Sequence, residues 1–301
     1  MVRMETLKIL SPAKINVFLE VLRKRDDGFH DIDTVMLAID LYDEIQVCFQ
    51  RKKSGESTIT LDCSFENLDS TGFPCNKHNL VVKASDYFLH TQNINADVKI
   101  SLYKRIPWGA GLGGGSSNAA TVIKALATLA SSELNDSDLA QIGAEIGSDV
   151  PFFMYLPSAR CEGRGEIVKP FSIKQVFYLV VVFPNINCST AEIYKQTDLR
   201  LKRFNFSDII VENLQADEID NCEVFSKHFF NRLEEPAILQ ERKLQEIFDK
   251  TDIVLPYFWK RQLSGSGSAV IFFTNEQHQS QLAKMLQKLN IGQIFEAKTM
   301  Q

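Results

Sequence analysis

Five glycines fall within seven residues in the run Pro107-Trp108-Gly109-Ala110-Gly111-Leu112-Gly113-Gly114-Gly115-Ser116-Ser117. Glycine reaches left-handed backbone angles and carries no Cβ to block a ligand. The residues from Ser116 to Ala130 are small or apolar and favour a helix, so the spacing predicts a helix beginning near Ser116. The first amides of a helix lack internal partners and sit at the positive end of its dipole. A glycine loop opening into a helix is therefore suited to cradling phosphate. Ser116 and Ser117 stand where a hydroxyl caps that helix or touches phosphate or a metal ion.

Several loop types share this composition. A literal GxGxxG occurs at Gly109, Gly111 and Gly114. A dinucleotide fingerprint belongs in an early strand–turn–helix, whereas Pro107 separates strand from loop and the upstream strands read as joined by hairpins. No lysine lies between Arg105 and Lys124, so the loop is not a Gly-Lys-[Ser/Thr] P-loop. The HRD and DFG partners of a protein-kinase loop are missing from the sequence. A flexible Gly/Ser linker is the bland alternative, but linkers seldom join a strand to a strong helix former.

Other residues invite chemistry. Asp149 follows Gly147 and precedes Pro151; it reads equally as a general base or as a helix cap. Lys14 lies among the apolar Ala13, Ile15 and Val17, either as a held cation or as an edge-strand lysine opposing aggregation. Phe29 and His30 follow an Asp-Gly turn, and read as a base-stacking pair or as a core ring beside a half-buried imidazole. Gly265 and Gly267 form a second glycine loop, which by itself reads as a tight turn. Cys63, Cys75, His78 and His90 lie in one region, but their spacing matches no zinc pattern.

The elements that must position these groups follow from periodicity. Strands are predicted at 14–22, 29–39, 44–49, 57–61 and 96–103, and helices at 79–90, 116–130 and 137–146. After Pro157 the pattern restarts. Strands are predicted at 176–183, 269–273 and 291–298, and helices at 236–250 and 277–289. Pro157, Gly163, Gly165 and Pro170 cluster at 157–170, which places a boundary there and divides the chain into domains 1–160 and 161–301 of an α+β protein.

The chain has 301 residues and a net charge of −5. An acidic balance without a basic stripe argues against nucleic acid as partner. No apolar stretch is long enough for a membrane span, and the first ten residues do not read as a signal peptide. Six scattered cysteines without a CxxC pair read as reduced thiols of a cytoplasmic protein. A monomer or weak homodimer is expected.

Taken together, the motifs Pro12–Asn16 (PAKIN), Asp27–His30 (DGFH), His78–Ala84 (HNLVVKA), Lys104–Ala120 (KRIPWGAGLGGGSSNAA), Gly147–Phe153 (GSDVPFF) and Leu263–Ala269 (LSGSGSA) resemble the GHMP superfamily of small-molecule kinases, in the expected order. They are most similar to the branch whose acceptor is a cytidine diphosphate-linked methylerythritol. The likeness is weakest from about 195 to 255. It implies a first domain like ribosomal-protein domain 2 and a ferredoxin-like second domain, and ATP with Mg²⁺ phosphorylating the acceptor's 2-hydroxyl. Asp149 and Lys14 are implied as the catalytic pair. Pro107, Gly109, Ala110, Leu112, Gly111, Gly113, Gly114, Gly115, Ser116, Ser117, Asn79 and Lys104 are implied on the ATP side. Asn16, Phe29, His30, Thr190, Gly265 and Gly267, with Asp149, are implied on the acceptor side. Phe29 stands where the family often has Tyr. The Mg²⁺ ligands are left open, with Ser117 and Asp149 as candidates.

Overall fold

A computed structural model describes residues 4–197, 203–217 and 222–301, the side chains of Cys222 and Glu223 excepted. In chain order the elements are β1 (Glu5–Lys24), β2 (His30–Arg51), β3 (Thr58–Phe65), α1 (Leu80–Thr91), β4 (Ala96–Lys104), α2 (Gly114–Leu129), α3 (Asp136–Ile146), β5 (Ser158–Gly163), β6 (Ile167–Pro170) and β7 (Tyr178–Phe183). They continue as α4 (Thr190–Gln196), α5 (Ser207–Gln215), α6 (Cys222–Phe225), β8 (Phe230–Asn231), α7 (Glu234–Gln240), α8 (Arg242–Thr251), β9 (Lys260–Leu263), β10 (Val270–Thr274), α9 (Glu276–Lys288) and β11 (Gln293–Lys298). These residues form two compact units, neither of them one continuous run. The first comprises Met1–Ala13, Leu41–Trp108 and Gly113–Tyr155; the second comprises Lys14–Asp40, Gly109–Leu112 and Leu156–Gln301.

In the first unit β4 pairs antiparallel with the second half of β2, from Glu44↔Tyr103 to Arg51↔Ala96, and parallel with β3. The β3–α1–β4 passage is thus a crossover, which corrects the expectation that the strands before the glycine loop are joined only by hairpins. Alternation makes one face of the sheet apolar: Ile45, Val47, Val98, Ile100 and Leu102 are all buried. The glycine-rich start of α2 is followed by an alanine-rich body that buries most of its circumference, as expected of a central helix.

The predicted strands 29–39 and 44–49 are one strand, β2. Asp43 interrupts the apolar pattern yet is fully buried within it. Its carboxylate is satisfied by the groups described below, so the polar residue does not break the strand.

In the second unit β7, β9, β10 and β11 form an antiparallel sheet of order β11-β7-β10-β9, with α9 joining β10 to β11. That order, with β9 and β10 joined directly, is the ferredoxin-like arrangement. The run Val176–Phe183 gives Leu179, Val180, Val181 and Val182, all fully buried, as a central strand requires. Helix α9 contributes Leu282, Ala283 and Leu286 to the same core. The first half of β2 pairs with β5, and β5 with β6, so the Pro/Gly cluster at 157–170 carries two strands absent from the sequence reading. The predicted helix 236–250 is two helices, α7 and α8, broken at Glu241, whose φ of −116° and ψ of 92° are extended.

Candidate active site

In the first unit, the exit of β4 is fixed by Asp43. Its Oδ1 accepts from the Arg105 and Ile106 amides at 2.8 and 2.9 Å. Its Oδ2 accepts from Lys104 Nζ and, at 2.9 Å, from Asn118 Nδ2. Lys104 is 1% exposed, so its ammonium is held inside the unit and not at the surface. Asn118 Nδ2 also donates to Ser11 Oγ, which shares a hydrogen bond with Ser117 Oγ at 2.7 Å. A buried ion pair whose carboxylate also accepts from two backbone amides and from Asn118 is the arrangement in which such a pair is tolerated. It ties the strand before the glycine loop to the first turns of the helix after it.

Helix α2 starts at Gly114, with Gly113 as a left-handed cap and no side-chain cap hydrogen bond. The expectation of a start near Ser116 is corrected, because the glycines themselves take helical positions. Neither serine caps the helix. Ser117 is buried against Ser11, whereas Ser116 is half-buried and Gly115 exposed in the first turn. A Cβ at Gly114 would stand 2.9 Å from Ile106 Cγ2, so close packing explains this glycine. The backbone at Gly109, Gly111 and Gly113 is left-handed, with φ of 69°, 77° and 68°. Pro107, Ala110 and Leu112 are buried and anchor the loop. Asn79 caps α1: its Oδ1 accepts from the Val81 amide at 3.0 Å, and its Nδ2 donates to the Pro74 carbonyl. It is 6% exposed.

Asp149 is half-buried in the turn between α3 and the short 3-10 turn Pro151–Met154. The residue at the cap position of that turn is Val150, so the helix-cap reading of Asp149 is corrected. The turn is held from α2 by Lys124, whose Nζ donates to the Phe153 and Met154 carbonyls at 3.1 and 3.0 Å. Burial pushes the Lys124 ammonium below its ordinary value.

In the second unit, Lys14 is 3% exposed on β1, which lies between β2 and β8. The edge-strand reading is thereby corrected. Its amide donates to the Leu112 carbonyl at 2.9 Å and its Nζ to Asn16 Oδ1 at 2.7 Å. Asn16 Nδ2 donates to Thr34 Oγ1, and that hydroxyl to the Phe18 carbonyl. The two glycine loops meet here. Ser264 Oγ donates to the Gly111 carbonyl at 2.9 Å, and the Ala269 amide to the Ala110 carbonyl at 3.0 Å. A Cβ at Gly265 would lie 3.4 Å from Lys14 Nζ and 3.5 Å from Asn16 Oδ1. The second loop is therefore more than a tight turn, because its backbone closes on Lys14.

His30 stacks on Tyr194, ring centres 5.0 Å apart and planes inclined by 30°. Phe29 is half exposed, with the Arg164 guanidinium over its ring at 5.0 Å, which corrects the alternative of a core Phe. Burial pushes the His30 imidazole below its ordinary value, with a smaller push from Lys24. Thr190 is exposed at the start of α4, its Oγ1 hydrogen-bonded to Ser266 Oγ at 2.8 Å. Gly267 has a φ of 82° and lies by Leu263 and Cys188. Thus Lys14, Asn16 and Gly265 come together, as do Thr190 and the second loop. Asp43, Asn118, Lys124 and Tyr194 escaped the sequence reading. Tyr194 had a signal: it lies four residues after Thr190, one helical turn along.

A glycine cradle before a helix and a ferredoxin-like sheet are features of one class of small-molecule kinase. The family model described as GHMP kinases N terminal domain matches residues 79–156. A solved structure titled crystal structure of mevalonate kinase shares the fold, with a TM-score of 0.68 at 21% identity over 98% of this chain and 99% of the other. Residues 79–156 thus match the N-terminal domain of the GHMP kinases, a class of kinases. The 4-diphosphocytidyl-2-C-methyl-D-erythritol kinase of Thermodesulfovibrio yellowstonii is 37% identical over 278 residues, 90% of each protein. The enzyme of that name from Clostridium botulinum strain Loch Maree is 32% identical over 287 residues, 95% of this chain and 98% of the other. A crystal structure of 4-(cytidine 5'-diphospho)-2C-methyl-D-erythritol kinase matches with a TM-score of 0.76 at 29% identity, covering 98% of this chain and all of the other (100%). The chain belongs to the family of 4-diphosphocytidyl-2-C-methyl-D-erythritol kinases.

Proposed function

We propose that the protein transfers the γ-phosphoryl group of ATP to the 2-hydroxyl of 4-diphosphocytidyl-2-C-methyl-D-erythritol, a step of non-mevalonate isoprenoid synthesis. The observation that carries this reading is the 37% identity to a kinase of that name over nine-tenths of both chains. Phosphoryl transfer needs little covalent chemistry from a protein, but it needs positioning and stabilised charge. The glycine run Gly109–Gly115 and the first-turn amides of α2 suit the triphosphate, with Ser116 beside them. Ser117, Asn79 and Lys104 support this side from within, because their side chains are committed to the helix starts and strand exit they hold. In this reading Asp149 takes the acceptor hydroxyl's proton, and the Lys14 ammonium stabilises the developing oxyanion.

On the acceptor side, Asn16, Thr190, Gly265 and Gly267 place the erythritol. The stacked pair His30–Tyr194 and the exposed face of Phe29 receive the cytosine. A largely neutral imidazole, favoured by the burial at His30, donates and accepts at once, as a pyrimidine edge requires. Replacement of Tyr by Phe29 keeps the ring and removes the phenol.

Mg²⁺ enters this reading with ATP, where it neutralises phosphate charge when bound. It keeps several waters and needs one or two carboxylates rather than a protein cage. Among the described residues no three His, Cys, Asp or Glu form such a cage. Half-buried Asp149 fits this light demand; Ser117, bonded to Ser11, does not. The proposal includes a monomer or weak homodimer in the cytoplasm, without nucleic acid, and the reading of residues 1–160 as ATP-binding and 161–301 as substrate-side. No helix of the described residues is long and apolar enough to cross a membrane. The test is ADP release from Mg-ATP with the cytidine compound, homoserine and mevalonate offered in parallel. Turnover with the cytidine compound alone is expected; turnover with another acceptor overturns the substrate.

A further inference from the structure

One turn of the second unit supplies support for the second glycine loop. The turn from β8 into α7 reads Asn231-Arg232-Leu233-Glu234. Asn231 is 5% exposed. Its Nδ2 donates to two carbonyls of the loop region, Leu263 at 2.9 Å and Gly265 at 2.7 Å. Its Oδ1 accepts from the Leu233 amide at 3.0 Å, which fixes the amide's orientation. Glu234 Oε2 accepts from the Leu263 amide at 2.7 Å. The turn is itself anchored to β1: β8 pairs parallel with it at Leu19↔Asn231, and Arg232 makes a two-pronged pair with the fully buried Glu20, both contacts at 2.7 Å. β1 also carries Lys14 and Asn16.

We propose that Asn231, with Glu234 beside it, is a positioning residue that sets Gly265 against Lys14 and Asn16 and so fixes the acceptor-side geometry. The inference rests on the kinase reading above. Both hydrogens of one amide are spent on two carbonyls two residues apart, which defines the loop's path where it turns toward Lys14. A side chain whose only duty was to fill the core would not need that bidentate donation. The left-handed backbone at Gly265, φ 55°, is open to glycine at little cost, and among the conformations open to it the bond from Asn231 to its carbonyl selects this one.

The experiment is steady-state kinetics of the full chain, comparing wild type, Asn231→Ala, Asn231→Asp and Glu234→Gln. Asn231→Asp keeps size and the Leu233 acceptor but loses both donors. It is expected to raise KM for the cytidine substrate and lower kcat, for a combined loss of about tenfold or more in kcat/KM, with KM for ATP within about twofold. Glu234→Gln keeps an acceptor for the Leu263 amide and is expected to raise KM for the cytidine substrate in the same direction but by less than Asn231→Asp. A purely structural role would lower kcat in proportion to the folded fraction and leave both KM values unchanged, and that result overturns the proposal. If the Asn231 variants do not fold, Gly265→Ala is measured instead; an unchanged KM for the cytidine substrate there sinks the idea. Wild-type turnover in the same assay tests the kinase reading separately.

Discussion

Lys14 Nζ and Asn16 Oδ1 are 2.7 Å apart on the same face of β1, two residues along a strand whose alternation puts both side chains inward. The contact orients two groups at once. It holds the ammonium, and by spending Asn16 Oδ1 on Lys14 it commits Asn16 Nδ2 to Thr34, 2.8 Å away. The oxygen and the nitrogen of the Asn16 amide therefore each make one protein bond, and in the proposed function the remaining lone pair and hydrogen meet the acceptor. Replacing Lys14 by Met removes the charge with little change of volume. Turnover is expected to fall by about 10²–10³ while ATP still binds. Turnover within a few-fold of wild type would remove Lys14 from the chemistry.

Asp149→Asn keeps the size of the side chain and removes the carboxylate proposed to take the acceptor's proton. A drop of about 10²–10⁴ in kcat with ATP affinity retained is expected. The measurement is ADP release beside nucleotide titration. A variant with normal turnover excludes Asp149 as the proton acceptor.

Two glycines of one loop should answer differently to alanine. At Gly111 a Cβ would meet the Ser264 carbonyl oxygen at 1.9 Å, and φ is 77°. At Gly115 the nearest atom is Leu80 Cδ1 at 3.5 Å, an ordinary contact. Gly111→Ala is expected to lose about 2 kcal/mol or more of stability. Gly115→Ala should change stability by less than about 1 kcal/mol, being a helical position where alanine is favoured. Chemical denaturation of both variants decides it, and equal losses would mean that the two glycine loops are not joined as described.

Lys104→Met leaves the Asp43 carboxylate buried without its cation. Breaking a buried pair costs about 3–5 kcal/mol, and here the same carboxylate also holds the Arg105 and Ile106 amides. A loss of that size in denaturant unfolding is the expected result. A fully stable Lys104→Met protein would show that the ammonium is dispensable to the strand exit.

The ferredoxin-like sheet was legible because its strands are short, apolar and separated by turn residues, as in Val176–Phe183. The glycine loop was legible because few other sequences need so many glycines. What was hidden has a common cause. Asp43, Asn118 and Lys124 act through partners distant in the chain, and a buried polar residue has no local pattern to reveal it. Asp43 falls between the predicted strands 29–39 and 44–49, and only its buried partners show that the strand runs through it. Asn231 lay in the stretch with the least family likeness, and only the fold brings it to Gly265. The start of α2 was misplaced because glycine has a poor helix propensity, and the close approach to Ile106 that favours Gly114 is not a local property.

His30 gives the protein a pH dependence whose sign follows from its surroundings. Burial lowers the imidazole pKa below its ordinary 6.5, so the folded protein favours the neutral ring. The stability that this contributes is full above the unfolded value and is lost as pH falls through the lower folded value. Cytosine binding that needs one donor and one acceptor on the ring should weaken over the same range, because the protonated ring only donates. KM for the cytidine substrate is expected to rise as pH falls through the lowered imidazole value, with KM for ATP changing less. His30→Ala should raise the cytidine KM at neutral pH and flatten this profile. If the rise persists unchanged in His30→Ala, the titrating group is elsewhere and the imidazole does not read the base.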